Sequence, residues 1–155
     1  MRLYFSISAF AWMTACGSTH ETAAEAIDFV HWSFRTDARA CGLQLAPSST
    51  GFIGVEEDPR DWSSDEPVLG YCWPVNPVTG WGWYVGLRAD EVDGVLLTPV
   101  IYHELGHCLL GLPHAPEGTR SVMVPAIGAE IVNDWAYLRW EIFRRAGAER
   151  TRCHE

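Results

Sequence analysis

The stretch "HELGHCLLGLPH" sets histidines at 103, 107 and 114 and a glutamate at 104. On a helix turning about 100° per residue, His103 and His107 fall within about 40° of each other, so both imidazoles can reach one metal ion. A zinc ion with three protein ligands keeps an open position for water and lowers the pKa of that water towards about 7. Glu104, rotated by about 100° from His103, cannot share the same point. It can take a proton from the water and return it to a leaving group, so the trio can perform metal-assisted hydrolysis with Glu104 as general base. Ile101, Leu105, Cys108 and Leu112 fall on the opposite face, which predicts a helix with one side in the core. By that facing, Cys108 is a buried or disulfide cysteine rather than a ligand.

Two candidates compete for the third ligand. Gly111 lets the chain turn after the helix, and Leu112 and Pro113 carry it to His114, with "SVMVP" and its Met123 nine residues further on. The second candidate lies in "EIVND", where Glu130 and Asp134 are four apart and resemble the ligand-bearing helix of gluzincins. An acidic helix start explains that pair equally simply. His114 with Met123 is the stronger set because two separate pieces agree. This set resembles the metzincin zinc peptidases, and the Met-x-Pro form of its Met-turn is most similar to the matrixin branch. The resemblance covers about residues 23–145, with "AAEAIDFVHWSF" as the first long helix and "VLGYCWP…GWYVGLRADE" as edge strand, loop and next strand.

What the resemblance implies is an α+β fold: a small twisted mixed sheet of about four strands on a long helix and the active-site helix, then a short C-terminal subdomain ending in a helix. It further implies that Zn2+ sits on His103, His107 and His114, that Glu104 is the catalytic base, and that Met123 forms the floor beneath the metal. Leu69, Gly70, Tyr71, Cys72 and Trp73 would line a peptide or protein substrate as an added antiparallel strand. In this chain Gly111 stands four residues after His107, one more than in the family signature. The surplus is assigned to Leu110, lengthening the helix by about 1.5 Å and turning its end by about 100°. Where matrixins hold structural zinc and calcium, the roughly matching places carry Tyr71, Gly86 and Arg88, and disulfides are the alternative brace. The rival from another class is a non-catalytic zinc-binding surface module, against which the retained Glu104 argues.

Several elements must position these residues. Ala26, Ile27, Val30, Phe34 and Ala38 recur at helical spacing before Gly42. Short β-prone runs follow in "LQL", "GFIGVEE", "VLGYCW" and "GWYVGLR", separated by loops rich in Pro, Ser and Gly. Thr98 as N-cap and Pro99 at the first helical position start the zinc helix, which runs to about Leu110. A last helix over about 133–146 carries Trp135, Leu138, Ile142 and Ala146 on one face.

A length of 155 residues suits one domain and one active site, and a monomer is expected. A formal charge of -9, with arginine as the only strong base and no basic block, argues against nucleic acid as a partner. Residues 1–15 read as an export signal, too short and serine-broken to span a bilayer as an anchor. Thr14 and Ala15 before Cys16 resemble the bacterial lipobox, with Met13 in the usual leucine's place. The expected form is therefore a lipoprotein anchored to the membrane through Cys16, with residues 16–22 as a tether and 23–155 as the catalytic domain. No room is left there for an inhibitory pro-segment. Gly17 is not the aspartate of inner-membrane retention, which in a host with an outer membrane points to that membrane or the cell surface. Cys41, Cys72, Cys108 and Cys153 remain, enough for two disulfides in an oxidising compartment, with three pairings open. His20, His31 and His154 lack partners at ligand spacing and read as surface or interfacial.

Overall fold

The structure, a computed structural model, describes residues 19–45, 51–56, 69–74, 82–88, 95–127, 129–148 and 153, the side chains of 19–23, 56, 74 and 129–130 excepted. The signal region and Cys16 lie outside the described residues, as do the side chain of His20, His154 and the side chain of Glu130.

Helix α1 (Thr19–Ala40) buries Ile27, Val30, Phe34 and Ala38 along one stripe, the faces that 3.6-residue periodicity brings together. It begins inside the stretch read as a tether, because "HETAAEA" contains no helix breaker. The stripe also carries Asp37, only 3% exposed. Its carboxylate accepts the Tyr102 hydroxyl at 2.6 Å and a two-pronged contact from Arg139. The helix closes at Gly42 (φ 77°), and Leu43 returns its N–H to the Ala38 carbonyl. That return corrects the expectation for "LQL". Residues 43–45 form no strand; Leu43 and Leu45 instead pack irregularly on the core.

Strands β1 (Gly51–Glu56), β2 (Gly70–Pro74) and β3 (Trp83–Arg88) make a mixed sheet in the order β1-β3-β2. The described residues thus give three strands where about four were expected. β1 runs parallel to β3 with Ile53 beside Val85, and β2 runs antiparallel to β3 with Cys72 beside Val85. Trp83, Val85 and Leu87 alternate inward and are buried, as a strand half-covered by helices requires.

Helix α2 (Leu97–Leu110) packs on β2, β3 and α1. It starts one residue before Thr98. Leu96 occupies the N-cap with no side-chain bond, and the Val100 N–H reaches the Leu96 carbonyl at 3.0 Å. Pro99 falls inside the first turn, where a missing N–H leaves no bond unmade. The helix ends at Leu110, and Gly111 takes the left-handed conformation (φ 63°, ψ 25°) that a side chain would resist.

The expected last helix, over about 133–146, is α4 (Trp135–Arg145), starting two residues later, and a short helix that was not expected, α3 (Ala129–Asn133), precedes it. The two part at Asp134, whose side chain binds Arg120 through two 2.7 Å bonds. α4 buries Leu138, Ile142 and Phe143, and Phe143 (tilted) and Tyr102 (edge-on) both pack against Phe34, with centroids 5.1 and 5.0 Å away. Of the three possible pairings, the chain uses Cys41–Cys153, which closes the C-terminus onto α1, and Cys72–Cys108, which ties β2 to α2.

Candidate metal centre

Along α2, residues 99–106 are buried on every side, so the chemical face does not look out on solvent. His103 is 4% and Glu104 5% exposed. Both form the floor of an open cleft of about 1090 Å³ whose walls include β2 and the segment after Gly118.

His103, His107 and His114 converge there, with their candidate ligand nitrogens all within 4.8 Å of one another. Nε2 of His103 lies 3.0 Å from Nε2 of His107 and 3.2 Å from Nε2 of His114. Bonds of 2.0–2.1 Å to a tetrahedral zinc put two nitrogens about 3.3 Å apart, so the spacing suits that ion. The tautomers sharpen the point. Nδ1 of His103 stands 2.7 Å from the Val122 carbonyl, and Nδ1 of His107 stands 2.6 Å from the Leu112 carbonyl. A carbonyl only accepts, so each Nδ1 carries the proton and each Nε2 of the neutral rings presents a lone pair. Lone pairs facing one another at such distances call for a cation between them, and a second nitrogen held by a backbone carbonyl is the usual support of a metal-bound histidine. The residues present therefore fit a zinc ion.

After Leu110 the chain reverses at Gly111. Gly111 directs its N–H to the Gly106 and His107 carbonyls, and Leu112 directs its own to Gly106. This reversal aims the Leu112 carbonyl at His107 and swings His114 over the site. His114 is the exposed member of the three, on the open side of the cleft.

Electrostatics follow burial. Desolvation brings the His103 imidazole down to about 4, with the charges of His107 and His114 acting the same way and the Val122 carbonyl opposing. The His107 imidazole is lowered by the same desolvation. Desolvation alone pushes the Glu104 carboxyl up to about 8. Neutral histidines are what a metal needs, since only a neutral ring offers its lone pair.

Met123 is fully buried beneath α2. A Cβ on Gly106 would stand 2.6 Å from its Sδ and 2.8 Å from Ile142 Cδ1, so the turn reaches the helix only because that residue has no side chain. The Met123 carbonyl accepts the Ala115 N–H at 2.7 Å, joining this turn to the residue after His114. Of the five residues expected at the substrate edge, Leu69, Gly70, Tyr71 and Cys72 line the cleft, and among the described residues β2 lies at the edge of the sheet. Trp73 is 64% exposed and is not among the cleft residues. Asp134, from the rival ligand pair, is committed to Arg120. Half-buried His31 packs edge-on against Trp83 at 5.3 Å.

Sequence reading missed the two carbonyls that orient the histidines, and no residue-type signal marks a backbone oxygen. Gly70 was expected only as part of the substrate edge; its close approach to Glu104 went unread, although a glycine within a strand is a sign of it. No protein-family model matches the chain, and no curated protein or solved structure compared with it is similar to it.

Proposed function

We propose that this chain is an exported zinc endopeptidase of metzincin type, matrixin-like in its Met-turn, cleaving peptide bonds with Glu104 as general base. The observation that carries the reading is the convergence of three Nε2 atoms, two of them with Nδ1 locked to a carbonyl, in a cleft that also holds a buried glutamate. His103, His107 and His114 would hold the ion. Zinc bound there supplies a Lewis acid that acidifies water and polarises a carbonyl, and its charge favours the ionised form of Glu104.

The remaining work belongs to the protein. Glu104 accepts the proton of the attacking water and delivers it to the leaving amine. The edge of β2 away from β3 would offer backbone donors and acceptors to an extended peptide and align it along the cleft. Met123 supports the histidine pair from below. The Cys72–Cys108 bond holds the substrate edge at a fixed distance from the helix bearing the base.

Purified full-length protein is assayed against a mixed peptide library with zinc, with chelator, and after zinc is restored. Cleavage should vanish with chelator and return with zinc. Glu104→Ala should keep its zinc while activity falls by about 10²-fold or more. A zinc-loaded wild-type protein that cleaves nothing would instead be a binding module.

The anchor belongs to the same proposal. Lipid attachment at Cys16 would place the enzyme on a membrane surface, the outer membrane where the host has one, and two disulfides accord with an oxidising compartment. Mass spectrometry of the mature N-terminus checks this, with Cys16→Ser expected to abolish acylation.

A further inference from the structure

We propose that Glu141 of α4 is a positioning residue for His103, acting through Ser121 and the Val122–Met123 peptide unit. The inference rests on the zinc reading and extends it to a residue remote from the ion.

The contacts form an unbroken series. His103 Nδ1 donates to the Val122 carbonyl at 2.7 Å. The N–H of the same peptide unit, that of Met123, donates to Ser121 Oγ at 3.1 Å. Ser121 Oγ donates in turn to Glu141 Oε2 at 2.8 Å. A hydroxyl gives one proton and accepts at its lone pairs, so Ser121 can fill both roles at once. Every donor points the same way, from the imidazole to the carboxylate. Hydrogen bonds in such a chain polarise one another: a peptide whose N–H is held by an acceptor has a more negative carbonyl oxygen.

The effect on His103 has two parts. A stronger acceptor at Nδ1 fixes the ring's tautomer and angle, and it makes Nε2 a better ligand, the function that a carboxylate serves when it touches a metal-bound histidine directly. Here the carboxylate works at one hydroxyl and one peptide's remove. Glu141 is suited to the task. It accepts a further bond from the Val122 backbone, and the Arg145 guanidinium lies 3.7 Å from its other oxygen. Ser121 is 2% exposed, so water does not compete for its hydroxyl.

The test uses full-length protein and reads zinc affinity by competition with a chromophoric chelator, together with the visible spectrum of the cobalt-substituted form. Glu141→Met keeps the bulk without an acceptor, and Glu141→Gln keeps both. Glu141→Met should weaken zinc by about 10-fold or more, the scale for outer partners of a metal-bound histidine, and should shift the cobalt bands; Glu141→Gln should retain wild-type affinity. Ser121→Ala should match Glu141→Met, and combining the two should add nothing, since they break one series. Ser121→Ala carries the test if Glu141→Met does not fold by near-ultraviolet circular dichroism. Unchanged affinity and cobalt bands in a folded variant, equal weakening by Gln and Met, or additive effects would each overturn the proposal while leaving the zinc site standing. A wild-type protein that binds no zinc would overturn both.

Discussion

A Cβ placed on Gly70 would lie 3.0 Å from Cγ and 3.1 Å from Oε1 of Glu104, so the first residue of β2 and the carboxylate occupy one continuous space. The strand proposed to carry substrate and the residue proposed as base are thereby fitted to each other. Gly70→Ala forces Glu104 to move by a few tenths of an ångström, with Val100 Cγ1, 3.1 Å from the same point, limiting the escape. Misplacement near 1 Å can cost about 10²-fold in rate, so a smaller shift should lower kcat by about 10-fold with zinc content unchanged. Metal analysis and steady-state kinetics on the same sample check it; an unchanged kcat would mean that Glu104 is not tuned by this contact.

The choice of third ligand has a direct test. His114 meets His103 at 3.2 Å between Nε2 atoms, so His114→Ala should weaken zinc by well beyond the about 10–100-fold expected for an outer partner. Glu130→Ala should bind zinc as the wild type does. Isothermal titration of both variants decides it, and the reverse result would move the site to α3.

How much of this could be read from the chain depends on the range of the interaction. His103, Glu104 and His107 were legible because helical periodicity is local, and the stripe Ile27, Val30, Phe34 and Ala38 for the same reason. Residues 43–45 misled because a short apolar run is strand-like in isolation, and only the bond from Leu43 to Ala38 shows the helix end claiming it. The last helix was legible from the repeat of Trp135, Leu138 and Ile142, whereas the short α3 before it was not; the two part at Asp134, which answers to Arg120, fourteen residues away. The disulfide pairing stayed open because it is settled by where α1, β2 and α2 lie in space. The Val122 and Leu112 carbonyls have no sequence signature at all, since every residue has one.

The metal-free protein should lose stability as pH rises above neutrality. The ordinary value for His103 is 6.5 and burial lowers it to about 4, so between these the unfolded chain holds the extra proton and stability rises with pH. Glu104 is the opposite case, raised from 4.5 to about 8, so the folded chain holds the extra proton and stability falls as pH rises through that window. Between 4.5 and 6.5 the Glu104 slope is opposed by His103 and by His107, whose imidazole burial also lowers, and from 6.5 to about 8 it is no longer opposed by them. Chelator-treated protein should therefore melt lower at pH 8 than at pH 6. Glu104→Gln should abolish that difference, and zinc should abolish it too, because a cation favours the carboxylate. Equal melting temperatures at both values in the metal-free wild type would contradict the account.

The two disulfides should separate stability from substrate binding. Cys41–Cys153 spans 112 residues and Cys72–Cys108 spans 36, so on chain entropy each contributes about 4–5 kcal/mol, the longer loop about 1 kcal/mol more. Replacing Cys41 and Cys153 by serine should lower the melting temperature and leave KM unchanged. Replacing Cys72 and Cys108 frees β2 from α2, so KM should rise as well. A rise in KM from the first pair, or none from the second, would detach the substrate edge from β2.

The last prediction concerns the node that holds α2 from behind. Asp37 on α1, 3% exposed, takes the Tyr102 hydroxyl and the Arg139 guanidinium, so a single carboxylate joins α1, α2 and α4. Burial and the bond to Asp37 hold the Tyr102 hydroxyl well above its ordinary pKa, so it remains a donor. Arg139→Met strips the carboxylate of its charge partner while keeping most of the side chain's bulk. Removing one member of a buried ion pair costs about 3–5 kcal/mol, because the other charge stays buried unpaired; with Arg139 itself partly exposed, the lower end is expected. Adding Asp37→Asn to Arg139→Met removes the stranded charge and keeps an acceptor for Tyr102, so the double variant should be more stable than Arg139→Met alone. Chemical denaturation of the three proteins measures this, and a double variant less stable than the single would show that Asp37 is held by packing rather than by its charge.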